Sequence, residues 1–159
     1  MRPVVIACLL AFLSGCGPSE ETIRRLAADE MARHAAKQFI KPGNVIGPYT
    51  PAVRAGDVLF VSGQIALDPA SGNLVNETIE KETRQVLANL DRVLKASGFD
   101  SSHVVSATVY LKNMADYGSV NGIYGQYFPP GRYPARVAVQ VAALPRDANI
   151  EIAAIAIRP

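Results

Sequence analysis

The apolar residues of this chain recur with different periods along its length, and each period predicts an element. Pro3 to Leu13 is an unbroken apolar run of eleven residues behind a single base, Arg2. It is too short to span a bilayer as a helix. Farther on, Ile23, Leu26, Ala27, Met31, Ala35 and Phe39 recur at helical spacing behind Ser19 at the N-cap position, with Glu20 and Glu21 in the first turn. The spacing predicts a helix over 20–39, stopped by Pro42-Gly43. Past Gly47 the pattern changes. Thr50 to Val53 and Val58 to Ser62 read as two strands of a hairpin, joined by Ala55-Gly56-Asp57 with glycine free for a positive φ. Ile79, Thr83, Val86, Leu87, Leu90, Val93 and Leu94 mark one face of a helix that Gly98 ends. Val104 to Leu111 alternates as a strand, and Met114 to about Phe128 reads as a helix before the Pro129-Pro130-Gly131 break. Two apolar strands, Ala135 to Val141 and Ile150 to Ile157, close the chain. The order ββαβαββ predicts an α+β domain with one sheet of about six strands and two helices on a single face.

Composition adds exclusions. A chain of 159 residues, 49% apolar and 19% charged, is expected to form one soluble globular domain. Its net charge of +2, with no cluster of Lys and Arg, points away from a nucleic-acid partner. The two cysteines, Cys8 and Cys16, both precede the folded body, so disulfides, cysteine nucleophiles and thiolate metal sites are not expected there. His34 and His103 have no partner at ligand spacing, and no metal or organic cofactor is expected.

The terminal strands carry charges among apolar neighbours. Val137, Val139 and Val141 share one face, which places Arg136, Ala138 and Gln140 on the other. Glu151 likewise lies beside Ala153, Ile155 and Ile157, opposite Ile150, Ile152, Ala154 and Ala156. A buried unpaired charge costs several kcal/mol, so each must be exposed, paired or lining a polar cavity. The pattern alone leaves open a cavity, an Arg–Glu ion pair, and edge charges that discourage sheet pairing. Tyr49, fixed behind Gly47-Pro48, is open to both packing and catalysis.

Leu13-Ser14-Gly15-Cys16, directly after the apolar run, resembles the lipobox of bacterial lipoproteins. That resemblance implies a signal peptide over 1–15, a lipid on Cys16, and attachment to the cell envelope facing the periplasm. Gly17 in place of an Asp favours the outer membrane in a Gram-negative cell. Residues 16–43 then form the anchor and a helical spacer, and 44–159 the domain.

The domain resembles the Rid/YjgF family, also labelled endoribonuclease L-PSP. Gly47-Pro48-Tyr49 with Ala52-Val53, Phe60-Val61-Ser62-Gly63-Gln64-Ile65, Asn89-Leu90 and Val120-Asn121-Gly122-Ile123-Tyr124 carry the likeness. Pro134-Ala135-Arg136, Leu144-Pro145 and Ile150-Glu151-Ile152 complete it, so that residues 45 to 159 are covered. What the resemblance implies is a chorismate-mutase-like homotrimer with clefts between subunits. Its members hydrolyse small 2-imino or 2-amino-2-alkenoic acids, such as 2-iminobutanoate and 2-iminopropanoate, to 2-oxo acids and ammonia. By position, Arg136 would clamp the substrate carboxylate, Glu151 would activate water, and Tyr49 would close the site. Gly63 and Ala138 through their backbones, and Asn121 through its side chain, would complete a pocket shared by charges from neighbouring C-terminal strands.

The sequence departs from the family pattern at Ala138, where many members carry Cys, and at Ala153 and Gln140, where acids are common. These changes, with the envelope address, keep a second function in view: a non-catalytic trimeric module that binds small carboxylates or serves as a scaffold. RNA cleavage rests on the family's alternative label, and the near-neutral charge and lack of a basic aromatic surface weigh against it.

Overall fold

The computed structural model describes residues 18–158. The leader and Cys16 lie outside the described residues. Helix α1 (Glu20–Ala35) belongs to a compact unit ending at Ala36. The Ser19 hydroxyl accepts the Thr22 N–H at 3.2 Å, as its N-cap position requires, and Arg24 reaches Glu20 one turn back at 2.9 Å.

The periodicity that carried this helix to Phe39 overshot. Ala36 is already extended, and Lys37–Ile40 is a strand, β1, paired antiparallel with β2 (Ala52–Ala55) so that Phe39 faces Val53. Backbone pairing along a sheet satisfies the same N–H and C=O groups that a helix would, and tertiary context overrides local propensity here.

The second unit runs from Lys37. Its further elements are β3 (Val58–Gln64), α2 (Ile79–Ala96), β4 (Val104–Leu111), α3 (Tyr117–Tyr127), β5 (Ala135–Gln140) and β6 (Ile150–Ile157). The six-stranded sheet has the order β1-β2-β3-β6-β4-β5, antiparallel except for β4 and β5. The α+β expectation holds. The two terminal strands, however, are not neighbours, because β4 lies between them. A crossover through α3 makes β5 parallel to β4 and puts it at the sheet edge.

Helix α2 supplies most of the helical side of the core. Thr78 caps it by accepting the Lys81 N–H at 3.3 Å, and Gly98, at φ 74°, lets the Phe99 N–H return to Leu94 O at 2.9 Å. Its Val86, Leu90, Val93 and Leu94 are buried with Leu59, Leu111, Ile150 and Ile152 of the sheet. Burial of each such side chain contributes about 1.5–3 kcal/mol before entropy is counted. The second domain helix starts later than its pattern suggested, since Met114–Asp116 is a 3-10 turn capped by Asn113.

The other face of the sheet has no covering layer among the described residues of this unit. Register places Phe39, Val53, Phe60 and Ile155 in one row across four strands. Phe39 is 65% exposed, Phe60 50% and Val137 56%.

Two buried polar side chains fix the segments around the site. Asn89 donates to Ile65 O and Leu67 O at 2.9 and 2.8 Å, holding the chain as it leaves β3. The fully buried Glu82 carboxylate accepts the backbone and side-chain N–H groups of Asn149 at 2.7 and 2.8 Å, fixing the start of β6 two residues before Glu151.

Candidate active site

Period-two geometry and the register together decide which way each charged side chain points. Arg136 pairs with Ala107, itself paired with the buried Ala154, so Arg136 lies on the helix side of the sheet. Glu151 pairs with Tyr110, which pairs with Val139 on the open side. The two charges of one chain therefore lie on opposite faces of its sheet, and they form no ion pair with each other.

On the open side, Glu151 shares a cleft of about 230 Å³ with Ile46, Tyr49, Ser62, Gly63 and Pro145. The β3–β6 register shifts between Val61 and Gln64, which re-aims the backbone at Gly63 beneath the carboxylate. Burial pushes the Glu151 carboxyl above the ordinary carboxylate range. Tyr49 is held over this cleft by a tight turn, its N–H donating to Gly47 O at 2.9 Å. Ser62 ties that loop to β3 by donating its N–H to Pro51 O at 3.0 Å and its hydroxyl to Thr50 O at 2.7 Å. Approaching β6, Arg146 and Asp147 adopt φ of 59° and 60°, a conformation few non-glycine residues take, and Asp147 is paired with Lys112.

On the helix side, the Arg136 guanidinium lies 4.6 Å from the ring centroid of Tyr124 and 5.6 Å from that of Tyr117. Its Nη2 donates to the Tyr117 hydroxyl at 3.2 Å. Cation–π contact and a hydrogen bond thus hold a side chain that would otherwise sample many rotamers at a sheet edge. The Tyr117 hydroxyl is drawn below the usual tyrosine range by its hydrogen bond with the Asn121 side chain and by the Arg136 charge. Burial pushes Tyr124 up to about 12 against the pull of the same arginine. Asn121 Oδ1 is buried and, among the described residues, accepts no hydrogen bond. Ala138 is on the same face as Arg136, packed against the core. Gln140, where the family often has an acid, is committed to structure: its Oε1 accepts the Met114 N–H at 2.9 Å.

The residues expected in one pocket thus form two half-sites: Tyr49, Gly63 and Glu151 in one, and Arg136, Asn121 and Ala138 in the other. Sequence reasoning gave no role to Tyr117 or Tyr124. The signal was present, since positions 117, 121 and 124 share one helical face.

Residues 39–158 match the model of the family described as Endoribonuclease L-PSP. The chain is 50% identical over 113 residues to the 2-iminobutanoate/2-iminopropanoate deaminase of Mus musculus, covering 71% of this chain and 83% of that protein. The structure of YyfA, a Rid family protein from Yersinia pestis, superposes with a TM-score of 0.73 at 42% identity, over 77% of this chain and all of that one. That of Escherichia coli TdcF with bound serine does so with a TM-score of 0.69 at 34% identity, over 77% and 96%. A family match through nearly the whole sheet-bearing unit, joined to a relative half identical in sequence, means that the chain belongs to the endoribonuclease L-PSP family, the Rid/YjgF proteins.

Proposed function

We propose that this protein is a hydrolase that deaminates small 2-imino acids, of the 2-iminobutanoate and 2-iminopropanoate class, in clefts between the subunits of a homotrimer. The observation that carries the reading is the placement of Arg136 and Glu151 on opposite faces of one sheet. A site using both takes Arg136 from one chain and Glu151 from the next. Threefold cyclic symmetry closes such a head-to-tail contact into a ring, and the exposed row through Phe39 and Phe60 supplies apolar area for it.

In such a cleft the guanidinium grips the substrate carboxylate, a role for which a planar and permanently charged donor is fitted. The imine nitrogen takes a proton from solvent, and Glu151 accepts a proton from water as the water oxygen attacks the iminium carbon to give a carbinolamine. Glu151 returns that proton to nitrogen, the C–N bond breaks to release ammonia, and the hydroxyl proton passes back to the Glu151 carboxylate and on to solvent as the 2-oxo acid forms. The orphan Asn121 Oδ1 is an acceptor for the substrate N–H. Ile46 and Pro145 give the substrate's alkyl group an apolar wall, and Tyr49 closes the cleft. An imine is already electrophilic, so holding the carboxylate, one water and one proton accounts for the chemistry.

The mouse relative's name supports the substrate class, and the serine bound by TdcF supports a small amino-acid-like ligand. The lipobox-like Leu13-Ser14-Gly15-Cys16, which closes a leader over 1–15, supports a lipid tether to the cell envelope through Cys16. The assay generates iminopropionate with an amino-acid oxidase and follows imine loss. Arg136→Ala and Glu151→Gln are each expected to be inactive alone. Refolded together at equal amounts, they should regain activity at about one quarter of the sites, because a random mixed trimer pairs an intact Arg136 with an intact Glu151 that often. No recovery in mixed trimers would refute the shared cleft. Binding of 2-oxobutyrate by the wild type without imine turnover would instead identify a non-catalytic carboxylate-binding module.

A further inference from the structure

The Arg136 guanidinium has five N–H donors and stands on an edge strand, so something must choose which of them face a ligand. Tyr124 supports the guanidinium from one side, but a ring face leaves rotation within the plane free. The Tyr117 hydroxyl removes that freedom by accepting Nη2–H at 3.2 Å. Tyr117 is 40% exposed at the rim of the half-site, with Asn121 one helical turn on along the same face of α3. Both contacts come from α3, a rigid element, and not from a loop.

We propose that Tyr117 is a positioning residue that sets the orientation of the Arg136 guanidinium, and with it the affinity of the cleft for a carboxylate. The inference rests on reading Arg136 as the carboxylate anchor. It goes further in assigning selection of a planar carboxylate over a neutral group to a tyrosine that does not itself carry the reaction. A bidentate grip depends on orientation, whereas a single hydrogen bond to a neutral amide depends on it far less.

The test compares wild type, Tyr117→Phe, Arg136→Lys and the double variant in imine turnover, with calorimetric binding of 2-oxobutyrate and of its neutral amide. Tyr117→Phe keeps the ring and removes the hydroxyl. It is expected to raise KM for the imine and Kd for 2-oxobutyrate about tenfold while kcat stays within about twofold. Its effect on the amide should be negligible, and it should add little in the Arg136→Lys background, where the oriented plane is already gone. Unchanged KM and Kd in Tyr117→Phe, with Arg136→Ala inactive, would overturn the role of Tyr117 and leave the deaminase reading standing. Equal turnover by Arg136→Ala and wild type would sink the deaminase reading itself. If Tyr117→Phe proves unstable, Tyr117→Leu, which also removes the hydroxyl, takes its place in the same comparison, and its additivity with Arg136→Lys overturns the inference.

Discussion

The Glu151 carboxylate occupies the space that a side chain at Gly63 would need: a Cβ built on Gly63 would overlap Glu151 Oε1 and lie 2.5 Å from its carboxyl carbon. The glycine here provides room, and its φ is not the reason for it. The close approach couples β3 and β6 at the point where their register shifts.

Gly63→Ala should therefore cost activity more than stability. The obstructed atoms are the far end of a flexible side chain, which can swing away. A displacement of about 1 Å costs on the order of 100-fold in kcat. Melting temperature and steady-state turnover measured on one preparation check this, and a variant with wild-type kcat would show that the carboxylate position is not critical.

The raised Glu151 carboxyl gives a pH prediction. The ionised form is the base, so activity is present above its pKa and is lost as pH falls through it. Because burial moves that pKa upward, the acid limb of kcat/KM should lie above the ordinary carboxylate range. In Gly63→Ala, which displaces the carboxylate, the limb should move, and an unaltered limb in that variant would assign it to another group.

Glu82→Ala leaves two half-buried donors of Asn149 without the acceptor that the fully buried carboxylate supplies. The expected loss is about 2–4 kcal/mol in urea denaturation, with Glu82→Gln milder because an amide oxygen replaces only part of the carboxylate. A loss below about 1 kcal/mol would mean that water replaces the acceptor.

Phe60 stands in the exposed apolar row between Val53 and Ile155. Phe60→Asp should leave far-UV circular dichroism intact while sedimentation shows monomers and turnover disappears, since a charge in that row is desolvated on assembly. An active trimer formed by the Phe60→Asp variant would place the subunit contact elsewhere.

Lipid attachment has its own readout. Cells grown with labelled palmitate should yield labelled wild-type protein in the membrane fraction, and Cys16→Ser should abolish both label and membrane association. Label retained in Cys16→Ser would reject the lipobox reading.

Sequence alone determined the elements whose period and punctuation agree. Ala107–Leu111 and Ile150–Ile157 alternate without interruption, and the helix beginning at Ile79 has Thr78 to start it and Gly98 to end it. The candidate residues were also legible, because a charge in an apolar strand is conspicuous wherever it points. Alternation separates the two faces of a strand, however, without saying which one turns inward. That depended on β4 inserting between β5 and β6, which directs Arg136 to the helices and Glu151 to the open side. The same dependence on distant partners made Lys37–Ile40 a strand despite its helical spacing, and brought Tyr117 and Tyr124 to the arginine. Local period is a property of neighbours along the chain, whereas strand order and side-chain encounter are set by contacts between segments far apart in it.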